Sequence, residues 1–209
     1  MHMRAQAPPP YRLERLSATQ WRLIMDNPEP RVLRMPGDPA YSRVLMPGFD
    51  TRVQVGLPDL PTLHLAFGLP AGSRLVARVR SAQEDVLAAD LAPYGGATPR
   101  GVHASTWVES TPVSVRDGLT VGGLRVHPAL AAAGGLRWAR RLDIDIRIEG
   151  NEVAGEIGGM LPPSSDHSSL RDVVNASDAR QWLRNAAAAI GKAAARATGS
   201  RLEIRTGEA

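Results

Sequence analysis

The residue types able to do acid–base, nucleophilic or metal chemistry are scattered along this chain. Its five histidines, His2, His64, His103, His127 and His167, include no pair at i, i+4 helical spacing, and no acidic cluster joins them. The sequence therefore carries no metal-binding pattern. Asp143 and Asp145 share one face of an alternating segment, as a carboxylate dyad would, but arginines flank them. Solvated cross-strand ion pairs are the simpler expectation. Ser164, Ser165, Ser168 and Ser169 lack the strand–turn–helix context of a nucleophile elbow. Gly95-Gly96 and Gly122-Gly123 are isolated glycine pairs, read as a loop and a bulge. With no cysteine there is no thiol nucleophile, disulfide or thiolate metal site. The expectation is a chain with no catalytic residues, metal or cofactor of its own.

Residues 92–105 (APYGGATPRGVHAS) are the exception of interest. Thr98-Pro99-Arg100-Gly101 sets one arginine beside a proline in an otherwise uncharged, Gly-rich stretch. On spacing alone this is a solvated arginine in a surface loop. The functional reading is a presented side chain. Proline stiffens the backbone before Arg100, so a partner's pocket loses less ordering entropy in taking it. An arginine buried in an acidic pocket can be a binding hot spot.

The elements that must carry this loop read as β-strands. From Leu136, the run LRWARRLDIDIRIE puts Leu136, Trp138, Leu142, Ile144, Ile146 and Ile148 on one face and mostly charged residues on the other, with Arg140 the one break. Such alternation marks a strand with one buried and one wet face, which belongs to an antiparallel sheet. Leu119–Pro128 reads as its ribbon partner, with the Ala/Gly stretch 129–135 as the turn between them. Further strands are expected within 11–26 around a polar turn near Ser17, at 31–35, 42–45 and 64–70, from Leu75 to Arg80, at 85–91 and at 106–115. Pro70-Ala-Gly-Ser73 is a turn that pairs the strands on either side of it. Pro58 and Pro61 exclude an interior strand or helix from the connector Gly56–Pro61. Asp178–Thr198 reads as a helix, with Ser177 as N-cap, Gly199 as the stop, and Trp182 docking its apolar stripe.

At 209 residues the chain is long enough to bury a core without staples. The net charge is +4, and Lys192 is the only lysine. The arginines are spread over every strand, which speaks weakly for nucleic acid. No apolar run approaches the roughly 20 residues needed to span a bilayer, and the opening MHMRAQAPPP has no signal-peptide core.

In order and spacing, these segments resemble the N-terminal prodomain of gingipain-type cysteine peptidases, the caspase-like bacterial proteases. RLERLSATQWRLIMDN (12–27) resembles that family's opening strand. Gly56-Leu-Pro-Asp-Leu-Pro61 and Leu69-Pro70-Ala-Gly72 resemble its "G-x-P-x-L-P … P-x-G" signature. Asp85–Pro93 resembles the strand leading into the family's inhibitory loop, and 116–149 its closing ribbon. Asn175, Ala179 and Trp182 resemble the "N-x-x-x-A-x-x-W" segment that follows. The resemblance implies a mainly β, antiparallel sandwich or barrel-like prodomain with one C-terminal helix. Such a prodomain covers the protease active site, keeps the zymogen latent and assists its folding, usually in an exported bacterial protein at the cell surface or outside it.

In the arginine-specific members one loop arginine fills the primary specificity pocket. Here the match falls on Arg100, so Thr98, Pro99, Arg100 and Gly101 are the expected protease-binding loop and Arg100 the expected cleavage site. The loop beyond Arg100 is shorter than in the gingipains, and without cysteine this chain cannot itself be the protease. The implied organisation is a lead at 1–10, a prodomain at 11–157, a linker and helix at 158–200, and at 201–209 the first strand of a following domain. The implied partner is a cognate caspase-like catalytic domain, with no nucleic acid and no membrane span. The rival expectations are a free-standing β-sandwich adhesion or scaffold module and, behind it, a basic module for nucleic acid or anionic membrane.

Overall fold

The computed structural model describes residues 10–37, 39–52, 55–70, 72–95, 106–116, 119–132, 134–150, 173–185 and Ala188. These form eleven strands: β1 (Tyr11–Arg15), β2 (Gln20–Asp26), β3 (Arg31–Met35), β4 (Tyr41–Leu45), β5 (Asp50–Arg52), β6 (Leu60–Leu69), β7 (Arg74–Ala88), β8 (Val108–Arg116), β9 (Leu119–Val126), β10 (Ala129–Ala132) and β11 (Gly135–Glu149). One helix, α1, runs through residues 176–185. Among the described residues the fold is mainly β, with antiparallel sheets, a single C-terminal helix and no closed barrel. Strand order is β1-β2-β11-β10 in one sheet, with β7 also paired to β11; β3-β4 in a second; and β5-β6-β9-β8 in a third. Among the described residues no helix is long and apolar enough to cross a membrane.

The chain divides into two compact units. The first comprises residues 1–65, 75–111 and 123–148. Its core follows from the alternation in β2 and β11. Leu142 stands opposite Met25, Ile144 opposite Leu23 and Ile146 opposite Trp21. All six are buried. Burying each such side chain contributes about 1.5–3 kcal/mol relative to exposure. On the other face Arg22, directly opposite Asp145, lies 3.4 Å from Asp143 and 3.8 Å from Asp145, so one guanidinium serves both carboxylates. Between Trp138 and Leu142 the alternation inverts: Ala139 is buried and Arg140 exposed. Asn27 fixes that inversion, its amide donating to the Ala139 carbonyl at 2.7 Å and its N–H to the Arg140 carbonyl at 2.8 Å. A second apolar cluster joins Val44, Met46, Ala129, Leu136 and Trp138, with Leu87 and Leu91 against it.

The second unit comprises residues 66–74, 112–122 and 149–209. Its centre is the start of α1. Val121, Val173 and Ala179 are buried together, and Trp182 and Leu183 pack on them. Asn175 is buried and clamps Gly68 of β6, accepting from its N–H at 2.8 Å and donating to its carbonyl at 2.9 Å.

Five expectations change. Residues 129–135 are not the turn of a ribbon from Leu119 to Glu149. Ala129–Ala132 is a strand of its own that pairs with β11 in the register Ala129↔Trp138, while β9 joins β6 and β8 in another sheet. The turn Pro70–Ser73 forms, closed by the Ser73 N–H on the Pro70 carbonyl at 3.2 Å with Gly72 at φ 75°, but β6 and β7 join different sheets. Arg74–Ala88 is one strand rather than two. Pro61 lies inside β6 opposite Thr51, near the strand's start, where sheets tolerate proline. The helix begins two residues early: the Asn175 carbonyl accepts the Ala179 N–H at 3.0 Å, so Asn175, not Ser177, holds the N-cap position. The expected lead at 1–9, most of the linker, the end of the helix and residues 201–209 lie outside the described residues.

Candidate functional site

The expected loop lies between β7, which ends at Ala88, and β8, which begins at Val108 in a different sheet. Thr98, Pro99, Arg100 and Gly101 lie outside the described residues, but both arms that carry them are described and lie in the first unit. Held arms are what a presented loop needs, because a partner then orders fewer bonds on binding.

Ser42, at the start of β4 and wholly buried, fixes the ingoing arm. Its N–H donates to the Ala92 carbonyl at 2.9 Å, and its hydroxyl accepts the Ala92 N–H at 2.9 Å. The same hydroxyl donates to the Asp90 carbonyl at 3.2 Å. A serine hydroxyl is suited to this double task, having one donor and two acceptor positions. Two residues on, the Tyr94 N–H reaches the Leu57 carbonyl at 2.9 Å and the Tyr94 carbonyl accepts from Gly56 at 2.8 Å. The Tyr94 ring stands edge-on to Tyr41, with centroids 4.9 Å apart.

Behind this arm, Asp59 ties the Gly56–Pro61 connector to β4. Its N–H donates to the Ser42 carbonyl at 3.0 Å, and its carbonyl accepts from Val44 at 2.8 Å. Its carboxylate is wholly buried and accepts from Arg43 Nε at 2.6 Å. That bond, ahead of the desolvation that opposes it, raises the Arg43 guanidinium above its ordinary value and keeps it charged.

The outgoing arm is held at Trp107, which is buried. Its carbonyl accepts the His127 N–H at 2.9 Å, and its indole N–H donates to Glu84 of β7 at 3.3 Å. Arg137 of β11 closes this bracket, 2.6 Å from the Glu84 carboxylate with its guanidinium 5.5 Å from the Trp107 ring centroid. Beyond it the Glu109 carboxylate lies 3.8 Å from Arg125 and 3.7 Å from His127 Nε2. Burial pushes the His127 imidazole below its ordinary value, with Glu109 opposing and Arg125 and His64 adding to the depression. An open cleft of about 370 Å³ lies beside the ingoing arm, lined by Ala89, Asp90, Leu91, Ala132, Gly134 and Gly135.

Among the described residues no group of three His, Asp or Glu side chains could hold a metal ion. Sequence reasoning picked out Arg100 but not Ser42, Asp59, Trp107 or Glu84. The one available signal was an aspartate inside the otherwise apolar Gly56–Pro61 connector.

No protein-family profile matches the sequence, and no curated protein does. Solved structures do. One, described as giving structural insight into the zymogenic latency of gingipain K from Porphyromonas gingivalis, aligns at 17% identity and a TM-score of 0.57, covering 71% of this chain and 98% of that one. Another, the complex of Porphyromonas gingivalis RgpB pro- and mature domains, aligns at 11% identity and a TM-score of 0.60, covering 81% of this chain and 99% of that one. In its fold, this chain is therefore similar to chains from gingipain zymogen and pro-domain structures, as the sequence resemblance implies.

Proposed function

We propose that this chain is a non-catalytic prodomain that keeps a gingipain-like cysteine protease latent and assists its folding. The loop around Arg100 enters the active-site cleft of the protease, with the Arg100 guanidinium in an acidic specificity pocket. The observation that carries this reading is the fold shared with structures described for zymogenic latency and for a complex of pro- and mature domains, over 98–99% of each of those chains. The clamped arms support it, since a loop that must enter a cleft in one orientation gains from anchors on both sides. The partner is the catalytic domain, met across a surface of standard size, roughly 1,600 Å² in total. Proteolysis at Arg100 ends latency.

Competition tests the loop's place. Binding of the purified chain to a mature gingipain-type domain is measured by calorimetry, with the enzyme free and with its active site blocked by a covalent peptidyl inhibitor. Loss of most of the affinity on blocking is expected. Equal affinity for both enzyme forms would put the contact elsewhere on the protease.

A further inference from the structure

The second unit holds a contact of a recognisable kind. Among the described residues β5 pairs with β6 at Leu60–Thr62, and β9 is the other strand neighbour of β6 in its sheet. Further along β6, residues 174 and 175 take up the backbone groups of Ala66 and Gly68. The Val174 N–H donates to the Ala66 carbonyl at 2.8 Å, and the Asn175 side chain meets both polar groups of Gly68 at 2.8 and 2.9 Å. A carboxamide has separate donor and acceptor atoms and meets both groups at once; a carboxylate offers acceptors alone. The chain then turns directly into α1. Ala179 and, at the next helical spacings, Trp182 and Leu183 lie with Ala66, Val121 and Val173 in one apolar cluster. Backbone pairing at a sheet edge followed by an amphipathic helix in a groove combines two established modes of peptide recognition.

We propose that the β6 edge at Ala66–Gly68, with Val121 beside it, is a docking site for an Asn-anchored amphipathic segment, that residues 173–183 are its occupant, and that the contact holds without the covalent connection through 151–172. Among the described residues, each hydrogen bond and apolar contact named lies within residues 66–68, 121 and 173–183. The partner is thus this chain's own segment of the form Val-x-Asn-x-x-x-Ala-x-x-Trp, and whatever follows α1 stays attached when the backbone before Val173 is cut. A covalent connection between two binding elements supplies an effective concentration of about the millimolar range. The proposal requires a dissociation constant well below that once the tether is gone. It stands apart from the role given to Arg100.

The test uses the full chain with a flexible protease-cleavable insertion between Ser165 and Asp166, cutting verified on a denaturing gel. The pieces are then run on a size-exclusion column at 1–10 micromolar (about the range that separates tight from tether-dependent contacts). Co-elution of the cut wild type is expected, with separation of cut Asn175→Ala/Trp182→Ala. Asn175→Asp, which keeps the volume and loses the donor, is expected to weaken the association at least about tenfold, and thermal melts of each uncut variant report whether it folds. Separation of the wild-type pieces, or co-elution of the double variant indistinguishable from wild type, would overturn the proposal.

Discussion

Ser42 and Ala92 are joined by two hydrogen bonds of 2.9 Å, one from backbone to backbone and one from the Ala92 N–H to the Ser42 hydroxyl. A residue of β4 thereby sets the course of the ingoing arm of a loop 50 residues further along the chain. Ser42→Ala leaves the Ala92 N–H short of one acceptor and the Asp90 carbonyl short of one donor. The expected cost is about 1–3 kcal/mol of stability, the range for an unmet buried group. The expected signature is faster hydrogen exchange at Ala92 and Tyr94 than at β11. Uniform acceleration across all strands would show that Ser42 acts on global stability alone.

Asp59→Asn removes the charge that faces Arg43 while keeping the side-chain shape. Hydrogen bonds to charged groups contribute about 1.5–3 kcal/mol, so a drop of that order in unfolding free energy is expected by urea titration. Asp59 is wholly buried, and breaking such a pair leaves its partner uncompensated. A variant as stable as wild type would mean that desolvation cancels the Arg43 contact.

His127 makes the fold sensitive to mild acid. Its folded-state pKa lies below the ordinary 6.5, chiefly through burial, so near and below that value the unfolded chain binds more protons there than the folded one. The stabilisation is complete above about pH 6.5 and is lost as pH falls towards the folded-state value. Glu109, which favours the charged form, limits the effect. Melting temperatures measured from pH 7.5 to 5.5 (about one unit either side of a histidine's ordinary value) are expected to fall more steeply for wild type than for His127→Gln. Parallel slopes would assign the acid response to other groups.

Gly135 lies where a side chain has no room. A Cβ there would stand 2.5 Å from the Leu87 carbonyl oxygen, close to the end of β7 from which the loop departs. Gly135→Ala is expected to cost about 1–3 kcal/mol, as forced shifts in packed regions do. An unchanged denaturation midpoint would contradict the close approach.

Which of these features the sequence disclosed depended on how local their causes are. β11 was legible because one face is buried and one wet, so each residue from Leu142 to Ile146 declares its side. β10 was not, since Ala129–Ala132 has weak strand propensity and becomes a strand by pairing with Gly135–Trp138. The Pro70–Ser73 turn was legible from its residues, but turn chemistry says that the chain reverses, not which sheet receives the next strand. Asn175 and Trp182 could be marked by resemblance. That the Asn175 amide replaces a strand partner for Gly68 is a long-range fact with no pattern of its own. Ser42 and Asp59 are in the same position: their partners are Asp90, Ala92 and Arg43, and two of these three are distant in sequence. Arg100 was singled out by its proline and its uncharged surroundings, a signal local to residues 92–105.

In the function proposed above, this chain silences a protease through Arg100. The most direct measurement is the inhibition constant of the purified chain against a mature arginine-specific gingipain-type catalytic domain, wild type beside Arg100→Ala. Tight inhibition by wild type is expected, with a loss of about 2–5 kcal/mol, at least roughly 30-fold, for the variant. Absence of inhibition by the folded wild-type chain at micromolar concentration would contradict the prodomain reading. Equal inhibition by both forms would leave latency standing and remove Arg100 from it.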